Sequence, residues 1–377
     1  MFASALDYRG EAEAIIGSGQ TVDLMDHQGN FLARGAYSPR SQIRVRIWSF
    51  NSDEIIDRDF FASKVEEAVR LRDSIPELWK SSARRLVYGE SDGLPGLIVD
   101  AYDRYLVVQF LTAGIEYWRN EIVEILESLP DYIGIFERSD VDIRALEGLE
   151  QRAGRLTGKE PPDLIQIDEF GRKYFVNVRQ GQKTGFYLDQ RLNREILSGY
   201  ASEKRVLDCF CYTGGFTVAA LSGGATHVTA IDESEDSLSL GKENIELNHF
   251  NPGNVKWVKG DVFAELRKLR DRGERFDLIV LDPPKFAPTP AHLQRALRGY
   301  KDINLLAMKL LNPHGNLFTF SCSGGVSQEL FQKVITGSGL DARVTGKVLR
   351  KLHQDADHPV SLNFPEGNYL KGLILSV

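Results

Sequence analysis

Residues 205–221, RVLDCFCYTGGFTVAAL, constrain the fold more than any other part of the chain. A short apolar run ends in Asp208 and gives way to Gly214-Gly215, after which small residues recur at helical spacing. Strand, glycine turn and helix N-terminus in that order let a ligand come close to backbone N–H groups. The G-x-G-x-x-G spacing of dinucleotide-binding turns is absent. Two further apolar runs end alike: residues 227–231 lead into Asp232, and VKWVKG leads into Asp261. A carboxylate at Asp232 could accept from both ribose hydroxyls, and one at Asp261 from an adenine amine. Three acids at three successive strand ends fit S-adenosylmethionine (SAM), with some other nucleotide as the competing occupant. Phe210, Tyr212, Thr213, Gly214, Gly215 and Phe216 around the turn, and Val262 beside Asp261, are the other expected cofactor contacts.

The rest of the chain sets this unit in context. At 377 residues there is length for two or three domains with sizeable cores. Residues 1–55 hold short β-like runs (TVDLMD, FLARGAY, IRVRIWS) and read as a small all-β module. A helix is predicted from Arg58 to Arg72. Residues 56–160 read as a central α+β domain, with strands around the turn in GLPG and a helix from Tyr117 to Leu129. GKEPP, from Gly158, marks the boundary, and residues 161–377 alternate strand and helix as a parallel sheet does. The predicted strands are RVLDCF, HVTAID, VKWVKG, FDLIVLD, NLFTFS and a final hairpin near LRKLHQ and KGLILSV. The fold class is therefore α/β, Rossmann-like, with a small β module and an α+β domain ahead of it.

Composition narrows the partners. The net charge of −7 gives no overall basic footprint, although Arg34, Arg40, Arg44 and Arg46 cluster, as do Lys347, Arg350 and Lys351. RNA binding is permitted rather than argued for, and non-specific affinity should be weak and salt-sensitive. No apolar run reaches membrane-spanning length, and three cysteines make no disulfide framework, so a cytoplasmic location is expected.

Asp282-Pro283-Pro284-Lys285 ends the fourth strand of the sheet, where ligands of open α/β sheets bind. Two prolines stiffen the backbone and fix how Asp282 is presented; such a motif in methyltransferases accepts from an exocyclic amine on a flipped base. Cys322, in SCSGG, lies just past the next strand. A thiolate there could attack C6 of a pyrimidine and make C5 nucleophilic enough to take a methyl group; the competing reading is a small core cysteine. Cys209 and Cys211 read as core packing, and no metal site is expected. His353 to His358 reads as a loop lining the substrate pocket. In GQKTGFYLDQR, Lys183 could pair with the cofactor carboxylate and Asp189 or Gln190 with its amino group, the alternative being helix-capping residues.

At these residues the chain resembles the ribosomal RNA large subunit methyltransferase I family. The resemblance runs over nearly the whole chain: YGESDGLPGLIVD, FERSDVDIRALEGL, GQKTGFYLDQRLNR, FCYTGGF, LDPPKFA, SCSGG and DHPV..NFPEGNYLKG. It implies an N-terminal PUA domain, a central α+β domain and a SAM-binding Rossmann-like domain. It also implies 5-methylation of one cytidine in large-subunit rRNA, with Cys322 as nucleophile and Asp208, Asp232 and Asp261 in the SAM pocket. Three departures stand out. The chain starts at Met1-Phe2-Ala3-Ser4, inside the family's first PUA segment, so the module is expected to lack its opening strand. Cys209 occupies a usually aliphatic position. Lys285 stands where many RNA cytosine-5 methyltransferases carry a second cysteine, which leaves the base for the C5 proton unassigned. The expected partner is large-subunit rRNA, with no membrane and with a homodimer left open. The competing functions are an exocyclic-amine methyltransferase using Asp-Pro-Pro-Lys without a thiol, an inactive RNA-binding assembly factor and, last, a NAD-dependent oxidoreductase.

Overall fold

A computed structural model describes residues 1–2, 16–287 and 290–377. Contacts divide the chain into two units, one comprising Met1–Ile167, Val176–Leu188 and Ala356–Gly367, the other Asp168–Phe175, Asp189–Asp355 and Asn368–Val377.

In the first unit the early β-like runs form β1 (Thr21–Met25), β2 (Phe31–Tyr37) and β3 (Val45–Ser49), an antiparallel meander. The expected loss of an opening strand concerns residues 3–15, outside the described residues; Phe2 makes a single bridge to Ile43. Helix α1 (Arg58–Asp73) starts where Asp57 accepts from the Phe60 N–H, a side-chain cap. A second sheet follows, in the order β4 (Ala83–Tyr88), β5 (Leu97–Tyr102), β6 (Tyr105–Phe110), β7 (Gly134–Ser139), β8 (Arg152–Gly158). The helix expected over Tyr117 to Leu129 is α3 (Arg119–Glu127), and a short α2 (Ala113–Tyr117) precedes it with a break between them. The break falls at Trp118, whose ring packs on Phe61 at 5.0 Å. A short α4 (Ile143–Leu146) precedes β8. The meander is not a separate bead. Trp48 lies edge-on to Phe61 at 5.3 Å within the same apolar cluster as β4–β7. Ser38 and Arg46 both donate to the buried carboxylate of Glu147.

After the hairpin β9 (Ile165–Glu169) and β10 (Arg172–Val176), the second unit alternates as the sequence predicts. Its elements are α5 (Arg191–Ser198), β11 (Arg205–Cys209), α6 (Gly215–Ser222), β12 (His227–Asp232), α7 (Glu235–Leu247), β13 (Val255–Lys259), α8 (Val262–Asp271), β14 (Phe276–Leu281), α9 (Leu293–Leu310), β15 (Leu311–Ser321), α10 (Gln328–Ala342), β16 (Lys347–Leu352) and β17 (Lys371–Ser376). Among the described residues, seven strands form one sheet in the order β13-β12-β11-β14-β15-β17-β16. The first five run parallel; β17 is antiparallel to both β15 and β16. The order reverses between β11 and β14, so a crevice opens at their carboxyl ends. Helix α6 is buried along almost its whole length, as a helix with apolar residues all round must be.

Replacing Trp48 by Ala removes the ring that joins the meander to the larger cluster. A loss of about 3–5 kcal/mol in unfolding free energy is expected, measured by urea denaturation. A change below about 0.5 kcal/mol, the range of surface substitutions, would contradict this packing role.

Candidate active site

The carboxyl ends of β11, β12 and β14 deliver Asp208, Asp232 and Asp282 to the edge of the crevice. Between β11 and α6 the backbone alternates into left-handed conformation at Phe210, Tyr212 and Gly214 (φ 62°, 50° and 76°). A side chain on Gly214 would meet the Trp257 ring at 3.0 Å, so glycine serves both the conformation and the space there. Asn244 of α7 pins the turn by donating to the Thr213 carbonyl oxygen at 2.9 Å. Tyr174 reaches the Gly215 carbonyl oxygen at 3.3 Å.

The acids differ in what holds them. Asp232 accepts the N–H groups of Tyr212 and Ser234, each at 2.9 Å, and remains half-exposed. Backbone donors on both oxygens leave their remaining lone pairs for ligand hydroxyls. Asp261 caps α8 by accepting from the Ala264 N–H at 2.8 Å, with Val262 buried behind it. Asp208 is buried; its Oδ2 accepts from Thr217 Oγ1 at 2.7 Å while its Oδ1 has no partner. Burial, with Asp232 nearby, pushes its carboxyl up to about 7. Thr213 Oγ1 is a second buried polar atom without a partner, one turn away. Orphaned polar atoms cost free energy, and two of them beside a glycine turn fit a polar ligand such as the SAM aminoacyl or ribose group. Phe210 packs edge-on to Phe286, and Phe216 stacks on Phe320.

At the β14 end, burial and the nearby Asp189 push the Asp282 carboxyl up to about 8, partly offset by the Gln190 side-chain amide beside it. Asp189 accepts from the Tyr369 hydroxyl, and its carbonyl oxygen accepts from the Asp355 N–H at 2.9 Å. Asp189 and Gln190 thus lie next to Asp282. Lys183, exposed, belongs to the first unit.

The three cysteines are unlike one another. Cys209 and Cys211 are buried, and burial pushes both thiols well above the ordinary range, as core sulfurs require. Cys322 is half-buried, its Sγ 3.8 Å from the Pro283 carbonyl oxygen. Its neighbours are pinned: Ser321 Oγ donates to Tyr300 Oη at 2.9 Å, and Ser323 Oγ shares a hydrogen bond with the same hydroxyl at 3.0 Å. Ser323 Oγ also accepts the Ala287 N–H at 3.2 Å, tying the SCS and DPPK segments together. Pro284 and Lys285 are exposed on that turn.

The cluster from His353 to His358 divides. Asp355 pairs with Arg191 at 2.9 Å in the second unit, while His358 Nδ1 meets Asp357 Oδ1 at 2.7 Å in the first. No group of His, Cys, Asp and Glu suited to a metal occurs among the described residues. Asn244, Thr217 and Trp257 escaped the sequence reading, because ordinary helix and strand residues carry no motif of their own. Lys371 escaped it as well, although it stands inside NYLKG.

Residues 149–332 match the S-adenosylmethionine-dependent methyltransferase family and residues 4–50 a PUA-like domain. A ribosomal RNA large subunit methyltransferase I from Tolumonas auensis is 50% identical over 100% of this chain and 94% of its own length. The chain belongs to the ribosomal RNA large subunit methyltransferase I family. The Escherichia coli relative of the same name is 47% identical over 95% of this chain and 91% of its own. A SAM-dependent methyltransferase structure from Streptococcus mutans, 25% identical, superposes with a TM-score of 0.84 over 96% of this chain and 92% of its own. The family's cofactor is SAM, and the expected fold of a PUA-like module with a class I methyltransferase sheet is what the structure contains. No helix among the described residues is long and apolar enough to cross a membrane.

A buried carboxyl raised above its unfolded value is protonated when folded and ionised when unfolded over the pH range between. Asp208, raised to about 7, therefore removes stability from the cofactor-free protein as pH climbs from about 4 through 7, and Asp282 acts in the same sense to about 8. The Asp208→Asn protein should melt higher than wild type at pH 8, with the gap closing towards pH 4. A gap that stays constant across this range in thermal melts would contradict it.

Proposed function

We propose that this protein methylates C5 of a cytidine in large-subunit ribosomal RNA through a covalent cysteine intermediate. The relatives' names supply the RNA class. The observation that carries the chemistry is Cys322, a half-buried thiol at the β15 end, tied through the adjoining Ser323 to the Asp-Pro-Pro-Lys turn.

Asp208, the Phe210–Phe216 turn, Asp232 and Asp261 with Val262 hold SAM, which when bound supplies the electrophilic methyl group. Asp189 and Gln190 support the β14 end. The target base leaves its stack to reach the crevice. Asp282, protonated below about pH 8, donates to cytosine N3 and draws electrons from C6. Cys322 Sγ adds to C6, C5 gains nucleophilic character and takes the methyl group, and loss of the C5 proton with departure of sulfur restores the ring. Pro283 and Pro284 fix the Asp282 backbone, and Lys285 adds positive charge at the mouth where RNA phosphates enter. The domain division is read as a PUA-like RNA-binding module to residue 55, a central domain to 160 and the methyltransferase domain beyond. A cytoplasmic location follows from an rRNA substrate, and a homodimer is the assembly to test first.

The test is methyl transfer from labelled SAM to rRNA stripped of its own modifications, followed by nucleoside analysis. Wild type should yield 5-methylcytidine, and Cys322→Ala should lower the rate by about three orders of magnitude or more. Full activity in the variant, or label on an exocyclic amine, would favour direct amine methylation by the Asp-Pro-Pro-Lys turn.

A further inference from the structure

Lys371 is the first residue of β17, which runs antiparallel to β15 with Lys371 paired to Ser321. Strand direction therefore brings the start of β17 to the same sheet edge as the end of β15, next to Cys322. The lysine is 4% exposed, and its Nζ donates to the carbonyl oxygens of Ser323 at 2.8 Å and Tyr369 at 2.6 Å. An ammonium has three hydrogens to donate, and these two acceptors leave one over. Among the described residues no carboxylate forms an ion pair with Lys371. Buried cations ordinarily have a counter-charge, because two carbonyl dipoles do not replace the hydration of a full charge. Burial, joined by the like charge of Lys285, lowers the Lys371 ammonium to about 8, while the neighbouring Cys322 thiol, a group able to take a negative charge, acts in the opposite sense and favours the protonated amine.

We propose that Lys371 holds Cys322 as a thiolate, the ammonium serving as the counter-ion of the sulfur anion. This rests on the reading of Cys322 as nucleophile. Ionisation passes the thiol proton to solvent water and leaves the sulfur negative beside an ammonium that keeps all three hydrogens. The sulfur lone pair is then available to form the S–C6 bond. Lys371 acts through Cys322 and is a positioning residue. Among the described residues, three other titratable groups nearby differ from Lys371: Tyr300 on α9 is a buried phenol with its acidity suppressed, Asp282 beyond β14 is an acid pushed towards neutrality, and Lys285 is exposed.

The experiment is the pH dependence of iodoacetamide alkylation at Cys322, followed by mass spectrometry of its peptide in the full-length protein. Lys371→Gln keeps N–H donors for the two carbonyls without the charge; Lys371→Arg keeps the charge. The alkylation midpoint should rise by about one pH unit in Lys371→Gln, so that the rate near pH 7 falls about tenfold, and Lys371→Arg should recover most of it. SAM binding and melting temperature report separately on folding. An unchanged midpoint in a folded Lys371→Gln protein overturns the proposal and assigns the lysine to the backbone alone. Because alkylation needs neither RNA nor SAM, this outcome is independent of whether Cys322 performs the methylation.

Discussion

The reversal of strand order between β11 and β14 is the constraint from which the candidate site follows. Strands β12 and β13 add on one side of β11, and β14 and β15 on the other, so successive crossovers leave the switch point uncovered at the carboxyl ends. Three acids of the site stand at the end of, or just past, largely apolar strands: Asp208 after Val206 and Leu207, Asp232 after Ile231, Asp282 after Leu281. The strands cannot stop elsewhere without moving those acids into the core. The antiparallel insertion of β17 then completes the edge, since a parallel strand in its place would bring its last residue, not its first, beside Cys322.

Bringing acids together at the end of a buried sheet has an electrostatic consequence. Burial raises the proton affinity of Asp208 and Asp282, and neighbouring acids add to it, Asp232 at Asp208 and Asp189 with Asp208 at Asp282. Two carboxyl groups that are partly or wholly neutral near pH 7 differ chemically from two carboxylates. A neutral Asp282 can donate to a ring nitrogen, and Asp208 can ionise when a donor reaches its unpartnered oxygen. The same burial that destabilises these acids as anions is thus the source of the site's binding and proton-donating capacity.

Much of this could be read from the sequence because it depends on local signals. RVLDCF, HVTAID and FDLIVLD are short apolar runs with an acid at or near their end, and each became a strand ending within one residue of the predicted place. The DPPK and SCSGG segments could be located as strand ends for the same reason. Sequence also set the three sulfurs apart, reading Cys209 and Cys211 as core packing and Cys322 as the candidate nucleophile past a strand end; the first two are buried and Cys322 is half-buried. It could not join Lys371 to Cys322. That pairing depends on an antiparallel register between segments about fifty residues apart in sequence, which no local pattern encodes. The short α2 ahead of Trp118 was missed, since five residues carry too little periodicity to register as a helix.

Bonding of the Cys322 sulfur to carbon during the reaction is the step on which the proposed chemistry turns. It is tested most directly by incubating the protein and SAM with rRNA fragments containing 5-fluorocytidine, which has no C5 proton to release. A covalent mechanism predicts a denaturation-resistant protein–RNA adduct that forms only with SAM present, maps to the Cys322 peptide and is absent in Cys322→Ala. Methylation of the unsubstituted fragment without any such adduct from its fluorinated counterpart would contradict it.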